Sequence, residues 1–462
     1  MQSQGIITAV RGQIAEVTFP SGQPARHEIL TVTDCPEIVL EVISSATESS
    51  VFCLILNSGH SLARGMAVQS TGDTLKIPVG KEVLGRAFDI FGNPHDSQDP
   101  LPDGPLWPVF AARTRRLQDI VSPNKVVETG IKAIDFFTPI LEGGRTAFIG
   151  GAGVGKTVVL TAIINRLVVQ AQKLQDIVAV YSAVGERSRE AHELREQLKT
   201  AKALDYTSIV LGQMGENPAL RFRTAYAGAT IAEYFRDQMS TNVLFFMDNI
   251  FRFAQAGHEL ATLTGEIPSE DGYQPTLSSE IASLSERLVS TEQAGITSFL
   301  AVFVPSDDLT DYGARSVFPY LDSMIILSRD VYQSGILPAM DLLKSSSSAL
   351  NPITIGEKHY SAFIQAKQIL EKASDLKRIV SLVGESELSQ ENQKLYRRAQ
   401  LITNFMTQDL FVGSMLTDHV GEFIPREETI QTVSEIVSGT HDEVSPEDML
   451  YIGSIKNIGR KD

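Results

Sequence analysis

The sequence predicts a multidomain protein: an N-terminal β-barrel, a central α/β domain on a mostly parallel sheet, and a C-terminal α-helical domain. Three successive patterns along the 462 residues carry this reading. Short alternating runs come first, then apolar runs each followed by a helical stretch, then helical spacing alone. A chain of this length exceeds what one compact core accommodates, so several domains are expected. With 43% hydrophobic and 21% charged residues and no long biased tract, the composition is that of a globular protein.

From Ile6 to about Lys76 the apolar residues alternate, as in Ile14, Val17 and Phe19 and again from Val51 to Leu56, with Gly and Pro between runs. That pattern predicts a small barrel or sandwich over residues 1–76. The Gly- and Pro-punctuated stretch LGRAFDIFGNPHD, followed by PLPDGPLWP, marks a connector. Over 77–350 the apolar runs are Thr146–Ile149, Ile177–Val184, Ser208–Leu211, Val243–Met247, Ile296–Val304 and Met324–Leu327. Continuous runs of this kind suit parallel strands covered by helices on both faces. Over 351–462 helical spacing takes over, with Ile364, Ile369, Leu370, Ala373, Leu376, Ile379 and Val380 on one predicted stripe.

The formal net charge of -16 argues against broad contact with nucleic acid or an acidic membrane surface, which needs clustered Lys and Arg. Cys35 and Cys53 have neither metal-site spacing nor the number of a disulfide framework, and both are expected as buried thiols. The opening MQSQGIITAV has no secretory or transit character, so the mature chain is expected to begin here. No apolar run is long enough to span a bilayer. Any membrane association is expected to come through a partner.

The strongest chemical signal is Gly150-Gly151-Ala152-Gly153-Val154-Gly155-Lys156-Thr157, a complete G-x-x-x-x-G-K-[ST] sequence directly after an apolar run. Glycines let the backbone N–H groups curl toward phosphate oxygens, and the following helix presents its positive end. Lys156 is expected to reach the β- and γ-phosphates of a nucleotide and Thr157 to bind Mg²⁺; the alternative is a Gly-rich turn without ligand. Such loops work with an acid at the end of a neighbouring strand. Val243–Met247 followed by Asp248 supplies one, with capping of the next helix as the other role open to Asp248. The run Ile177–Val184 ends in Gly185-Glu186-Arg187, where a carboxylate could polarise a water aimed at the γ-phosphate. Taken alone, a Glu or Arg there is more often a solvated loop residue.

The runs GGAGVGKT, VGERSRE, FFMDNIFRFAQAG, GYQPTL and VPSDDLTD follow one another in an order that resembles the β subunit of F-type ATP synthases. The likeness extends over the whole chain, with that family's barrel, nucleotide-binding domain and helical domain falling on 1–76, 77–350 and 351–462. It implies ATP or ADP with Mg²⁺ as ligand, Glu186 as the catalytic carboxylate, and Arg187 and Arg252 as phosphate contacts beside Lys156. Asn249 follows the metal-linked Asp248. It further implies an α₃β₃ ring whose α subunits supply an arginine in trans, a central γ stalk, and a membrane ion-translocating sector in other subunits. The expected location is peripheral, on the cytoplasmic face of a bacterial inner membrane.

The pattern departs from that family where adenine would bind. Leu337 stands before Pro338-Ala339-Met340-Asp341 in place of a Tyr, and Leu410 and Leu416 align with aromatic positions. Phe303 replaces a usual Tyr, Glu266 a usual Arg and Gly215 a usual Asn. The loop Ser386–Asn392 keeps Glu387 and Glu391 as its acids. Two other functions remain compatible with the motifs: a ring paralogue that binds nucleotide without turnover, and a related hexameric motor such as a protein-export ATPase.

Overall fold

The structure is a computed structural model that describes residues 3–57, 62–96, 99–110, 119–171, 177–269, 272–410 and 422–458. It divides into two compact units: Met1–Val121, Leu174–Leu300 and Leu309–Pro319 in one, Ser122–Lys173, Ala301–Asp308 and Tyr320–Asp462 in the other.

The first unit begins with a closed barrel of β1 (Gln4–Arg11), β2 (Ile14–Thr18), β3 (Glu28–Val32), β4 (Cys35–Ser45), β5 (Ser50–Ile55) and β6 (Ala67–Thr74), in the order β1-β2-β5-β4-β3-β6. Alternation turns Ile7, Val17, Leu30, Leu40, Val51, Cys53 and Val68 into its core. Of the two cysteines expected in the interior, Cys53 is buried but Cys35 is only half-buried, since it sits at the first position of β4.

The same unit holds four parallel strands in the order Ala87–Phe88, Thr207–Gln213, Ile177–Glu186 and Asn242–Asp248, with the Ile296–Leu300 part of strand Ile296–Phe303 beside the last. The central strand Ile177–Glu186 is buried through eight consecutive residues, 178–185, as the continuous apolar run requires. Helix Pro218–Met239 packs on this sheet and also anchors the barrel. Arg223 on this helix donates to both oxygens of the fully buried Glu41 on β4, at 2.6 and 2.8 Å. Burial opposes the Glu41 charge, but Arg223 and His27 outweigh it and hold the carboxyl below its ordinary range.

In the second unit, strand Arg145–Gly150 runs parallel to Ser323–Ile326, which pairs antiparallel with Ser346–Ser347. Helix Lys156–Ala171 follows the first of these strands. Beyond residue 351 the unit is helical, with Glu357–Val383, Gln390–Phe405 and Arg426–Ser438 as its longer helices. On Glu357–Val383 the buried residues are His359, Ala362, Phe363, Ala366, Leu370 and Ala373. Ile379, expected on the buried stripe, is 48% exposed, because this buried face ends at Ala373 while the apolar spacing continues. The observed architecture is thus a six-stranded barrel, a mostly parallel nucleotide-domain sheet and a helical C-terminal region.

Candidate functional site

The phosphate loop lies in the second unit, between strand Arg145–Gly150 and helix Lys156–Ala171. Gly155 has φ +91°, a left-handed conformation that β-carbon-bearing residues rarely adopt. At Gly151 a Cβ would lie 2.1 Å from Asp307 Oδ1 and 2.9 Å from Arg329 Nη2, so a side chain there displaces the tips of these two residues. Arg329 Nε donates to Asp307 Oδ2 at 3.0 Å and Nη2 donates to the Ala152 carbonyl at 3.1 Å. This ion pair therefore braces the loop from outside. Asp307 falls within the run VPSDDLTD, but neither that run nor any spacing at Arg329 indicated that the two residues pair across the loop.

Lys156 Nζ donates to the carbonyls of Gly150 and Gly151, at 2.8 and 2.5 Å, and lies 5.5 Å from the centroid of the Phe303 ring. Val154 is buried, whereas Ala152, Gly153 and Thr157 are exposed. Thr157 is in the first turn of the helix, where the positive end of the macrodipole favours anions.

Leu337 lies in the same unit and is 40% exposed, while Leu410 is buried. The backbone N–H of Gln408 donates to the Leu337 carbonyl at 2.8 Å, and Tyr451 Oη donates to the Gly335 carbonyl at 2.6 Å. Tyr451 is an aromatic side chain near Leu337 that sequence reasoning passed over, 114 positions away along the chain. Leu416 lies outside the described residues.

The carboxylate cluster lies in the first unit. Strands Ile177–Glu186 and Asn242–Asp248 pair in parallel with Ala183 opposite Asp248, so Glu186 and Asp248 both fall at the carboxyl edge of the sheet. Asn249 joins them. Its side-chain amide donates to Glu186 Oε1 at 2.8 Å, and its carbonyl oxygen accepts from the Arg252 N–H at 2.9 Å. The cap of helix Ile250–Thr264 is therefore Asn249, and Asp248 is released from the capping role that the sequence left open to it.

Burial pushes the Glu186 carboxyl up to about 9, with the nearby Asp248 charge and Glu190 adding to the rise and Arg252 opposing it. Desolvation and the charges of the neighbouring acids all favour the protonated form of Glu186. Tyr181 Oη donates to Asp248 Oδ2 at 3.0 Å from a buried position. Arg252 reaches Gln255 Oε1 at 2.9 Å. Arg187 stands apart from this group: its side chain is 71% exposed and lies 3.9 Å from Glu190.

Residues 130–347 match the nucleotide-binding domain of the ATP synthase alpha/beta family, and residues 351–445 match the C-terminal domain of V and A type ATP synthase. The first match contains the whole phosphate loop together with Glu186, Asp248, Asn249 and Arg252. With the nucleotide-binding match followed directly by the C-terminal one, this chain is a nucleotide-binding subunit of the rotary ATP synthase alpha/beta family.

Proposed function

We propose that this chain is the catalytic subunit of its ring and interconverts ATP with ADP and phosphate. Glu186 carries the reading: a carboxylate at a strand end, oriented by the Asn249 amide and raised to about 9 beside Asp248. A subunit that only held nucleotide would need the phosphate loop but not this oriented acid.

In this reading residues 150–157 hold the phosphates, with Lys156 as the mobile cation. Thr157 and Asp248, the latter through water, are hard oxygen donors of the kind that suit Mg²⁺, which keeps several waters and takes few protein ligands. Bound magnesium would neutralise charge developing on the phosphate oxygens. Arg187 and Arg252 contact phosphate, and Glu186 orients the water. The charge of bound cations would favour the ionised form of Glu186, converting it from a proton holder into an acceptor. Leu337 and Leu410 supply apolar surface for the base.

The order of the motifs supports an F-type β subunit, alternating with α subunits that lend an arginine, surrounding a γ stalk and coupled to a membrane ion-translocating sector. The V and A type match of residues 351–445 favours a second reading, the catalytic subunit of a ring of those types. Either reading makes the chain peripheral to a membrane, proposed here as the cytoplasmic face of a bacterial inner membrane. No helix among the described residues is long and apolar enough to cross one. The division into 1–76, 77–350 and 351–462 is proposed on the same likeness.

The test is to purify the tagged chain with whatever assembles on it, identify those subunits, and measure Mg²⁺-dependent hydrolysis by the assembly and by the chain alone. We expect turnover by the assembly and little by the single chain, because an arginine in trans is worth roughly 10³ to 10⁵ in rate. An assembly that retains bound nucleotide but neither makes nor hydrolyses ATP would contradict the catalytic reading.

A further inference from the structure

Tyr181 lies five positions before Glu186 on the central strand. Across the sheet its register partner is Phe246, whose own partner is Phe299. The rings form a ladder: Tyr181 and Phe246 stack with centroids 6.3 Å apart at 16°, and Phe246 and Phe299 with centroids 4.7 Å apart at 10°. Phenylalanine at position 181 would complete this apolar stack, and a buried hydroxyl without a partner would be costly. The hydroxyl meets Asp248, two residues beyond Phe246 and so on the same face of the strand, donating to Oδ2 at 3.0 Å. Tyr181 is 3% exposed and Asp248 7%. Asp248 Oδ2 is a carboxylate oxygen and can only accept, so the phenol O–H is the donor in this contact.

We infer that Tyr181 is a positioning residue for Asp248, its hydroxyl holding the carboxylate in one orientation for the magnesium of MgATP. This rests on the reading of Asp248 as the acid that serves the metal. The ladder immobilises the ring, the ring places the hydroxyl, and the hydroxyl fixes the carboxylate. Hydrogen bonds to a metal-serving carboxylate of this kind preorganise it, and removing them typically weakens metal affinity about 10- to 100-fold.

Tyr181→Phe removes the hydroxyl and keeps the stacked ring. The experiment measures ATP affinity of the full-length chain, in the assembly in which it is isolated, with excess EDTA and with Mg²⁺, and titrates Mg²⁺ at saturating ATP. Asp248→Asn is measured alongside. We expect Tyr181→Phe to bind metal-free ATP as wild type does, to lose about tenfold of the gain that Mg²⁺ confers, and to need correspondingly more Mg²⁺. Asp248→Asn is expected to lose that gain almost entirely. If Asp248→Asn loses the gain while Tyr181→Phe keeps it, the positioning role is overturned and the metal role of Asp248 stands. If Asp248→Asn keeps the gain, the metal role fails, and the positioning role fails with it. Equal loss of affinity with and without Mg²⁺ in Tyr181→Phe would assign the hydroxyl a merely structural part and overturn the inference.

Discussion

Asn249 holds Glu186 and caps a helix with the two ends of one side chain: Nδ2 donates to Glu186 Oε1 at 2.8 Å while Oδ1 accepts from the Arg252 N–H at 2.9 Å. The start of helix Ile250–Thr264 is thereby tied to the acid on the neighbouring strand. The two functions separate by mutation. Asn249→Ala is expected to lose the cap, destabilising the protein by about 1 kcal/mol, and also to lower turnover. Asn249→Asp keeps a capping oxygen but replaces the donor with a third carboxylate. Urea denaturation and hydrolysis assays on both variants should find that the Asp variant loses stability as pH rises, because its added carboxylate faces Glu186 and Asp248 in a buried setting, and that its turnover is at least as impaired as that of the Ala variant.

Gly151→Ala should be disruptive although the change is one methyl group. The new Cβ would sit 2.1 Å from Asp307 Oδ1 and 2.9 Å from Arg329 Nη2, so the pair that braces the Ala152 carbonyl must move. The displaced groups are side-chain tips, so the loss is read in nucleotide affinity through the altered loop more than in Tm. Asp307→Ala in the same chain should recover part of the loss, and a double-mutant cycle in nucleotide affinity and in Tm measures that coupling. Additive effects would mean that the loop is indifferent to the pair.

The long apolar strands and the phosphate loop were legible in the sequence because each is a local pattern, a run of one character or a motif of fixed spacing, whereas Glu186 and Asp248 could be placed at strand ends but Glu186 stood out only through the family resemblance. The cap was not. Asp248 and Asn249 are both good capping residues, and only the backbone at the strand end decides that Asn249 takes the role. Tyr181 was hidden because an aromatic residue in a strand is ordinary core until its register partner two positions from Asp248 is known. Arg329 and Asp307 are 22 positions apart and meet only through the fold of the second unit. Ile379 misled in the other direction, since helical spacing gives the direction of a face but not where its cover ends.

The raised carboxyl of Glu186 makes a pH prediction. Its folded-state pKa of about 9 lies above the ordinary carboxyl range, so the folded protein holds a proton there that the unfolded chain releases. Its contribution to stability is complete below about pH 4 and declines as pH rises toward 9. Glu186→Gln removes this titration. Thermal melts without nucleotide should therefore find the variant more stable than wild type at pH 8, by an amount that shrinks toward pH 5. A Tm difference independent of pH would mean that Glu186 ionises in its ordinary range.

At position 337 the proposed base surface offers an aliphatic side chain, which is 40% exposed. Stacking a base on an aromatic side chain is worth roughly 1–3 kcal/mol against alanine, and less against leucine, which keeps apolar contact. Leu337→Tyr is expected to tighten ATP by up to about tenfold, equivalent to about 1.4 kcal/mol, and to sharpen discrimination against GTP with little change in the hydrolysis step. Nucleotide titrations with ATP and GTP check this, and unchanged affinity would place the base elsewhere.

The central claim, that this chain performs the chemistry and does not merely hold nucleotide, is tested most directly by single-turnover hydrolysis of Mg²⁺-ATP in assemblies carrying Glu186→Gln, with Lys156→Ala as the binding control. The account predicts that Lys156→Ala sharply weakens nucleotide binding. It predicts that Glu186→Gln binds ATP nearly as wild type does and loses most of its hydrolysis. Hydrolysis by Glu186→Gln at the wild-type rate would contradict it.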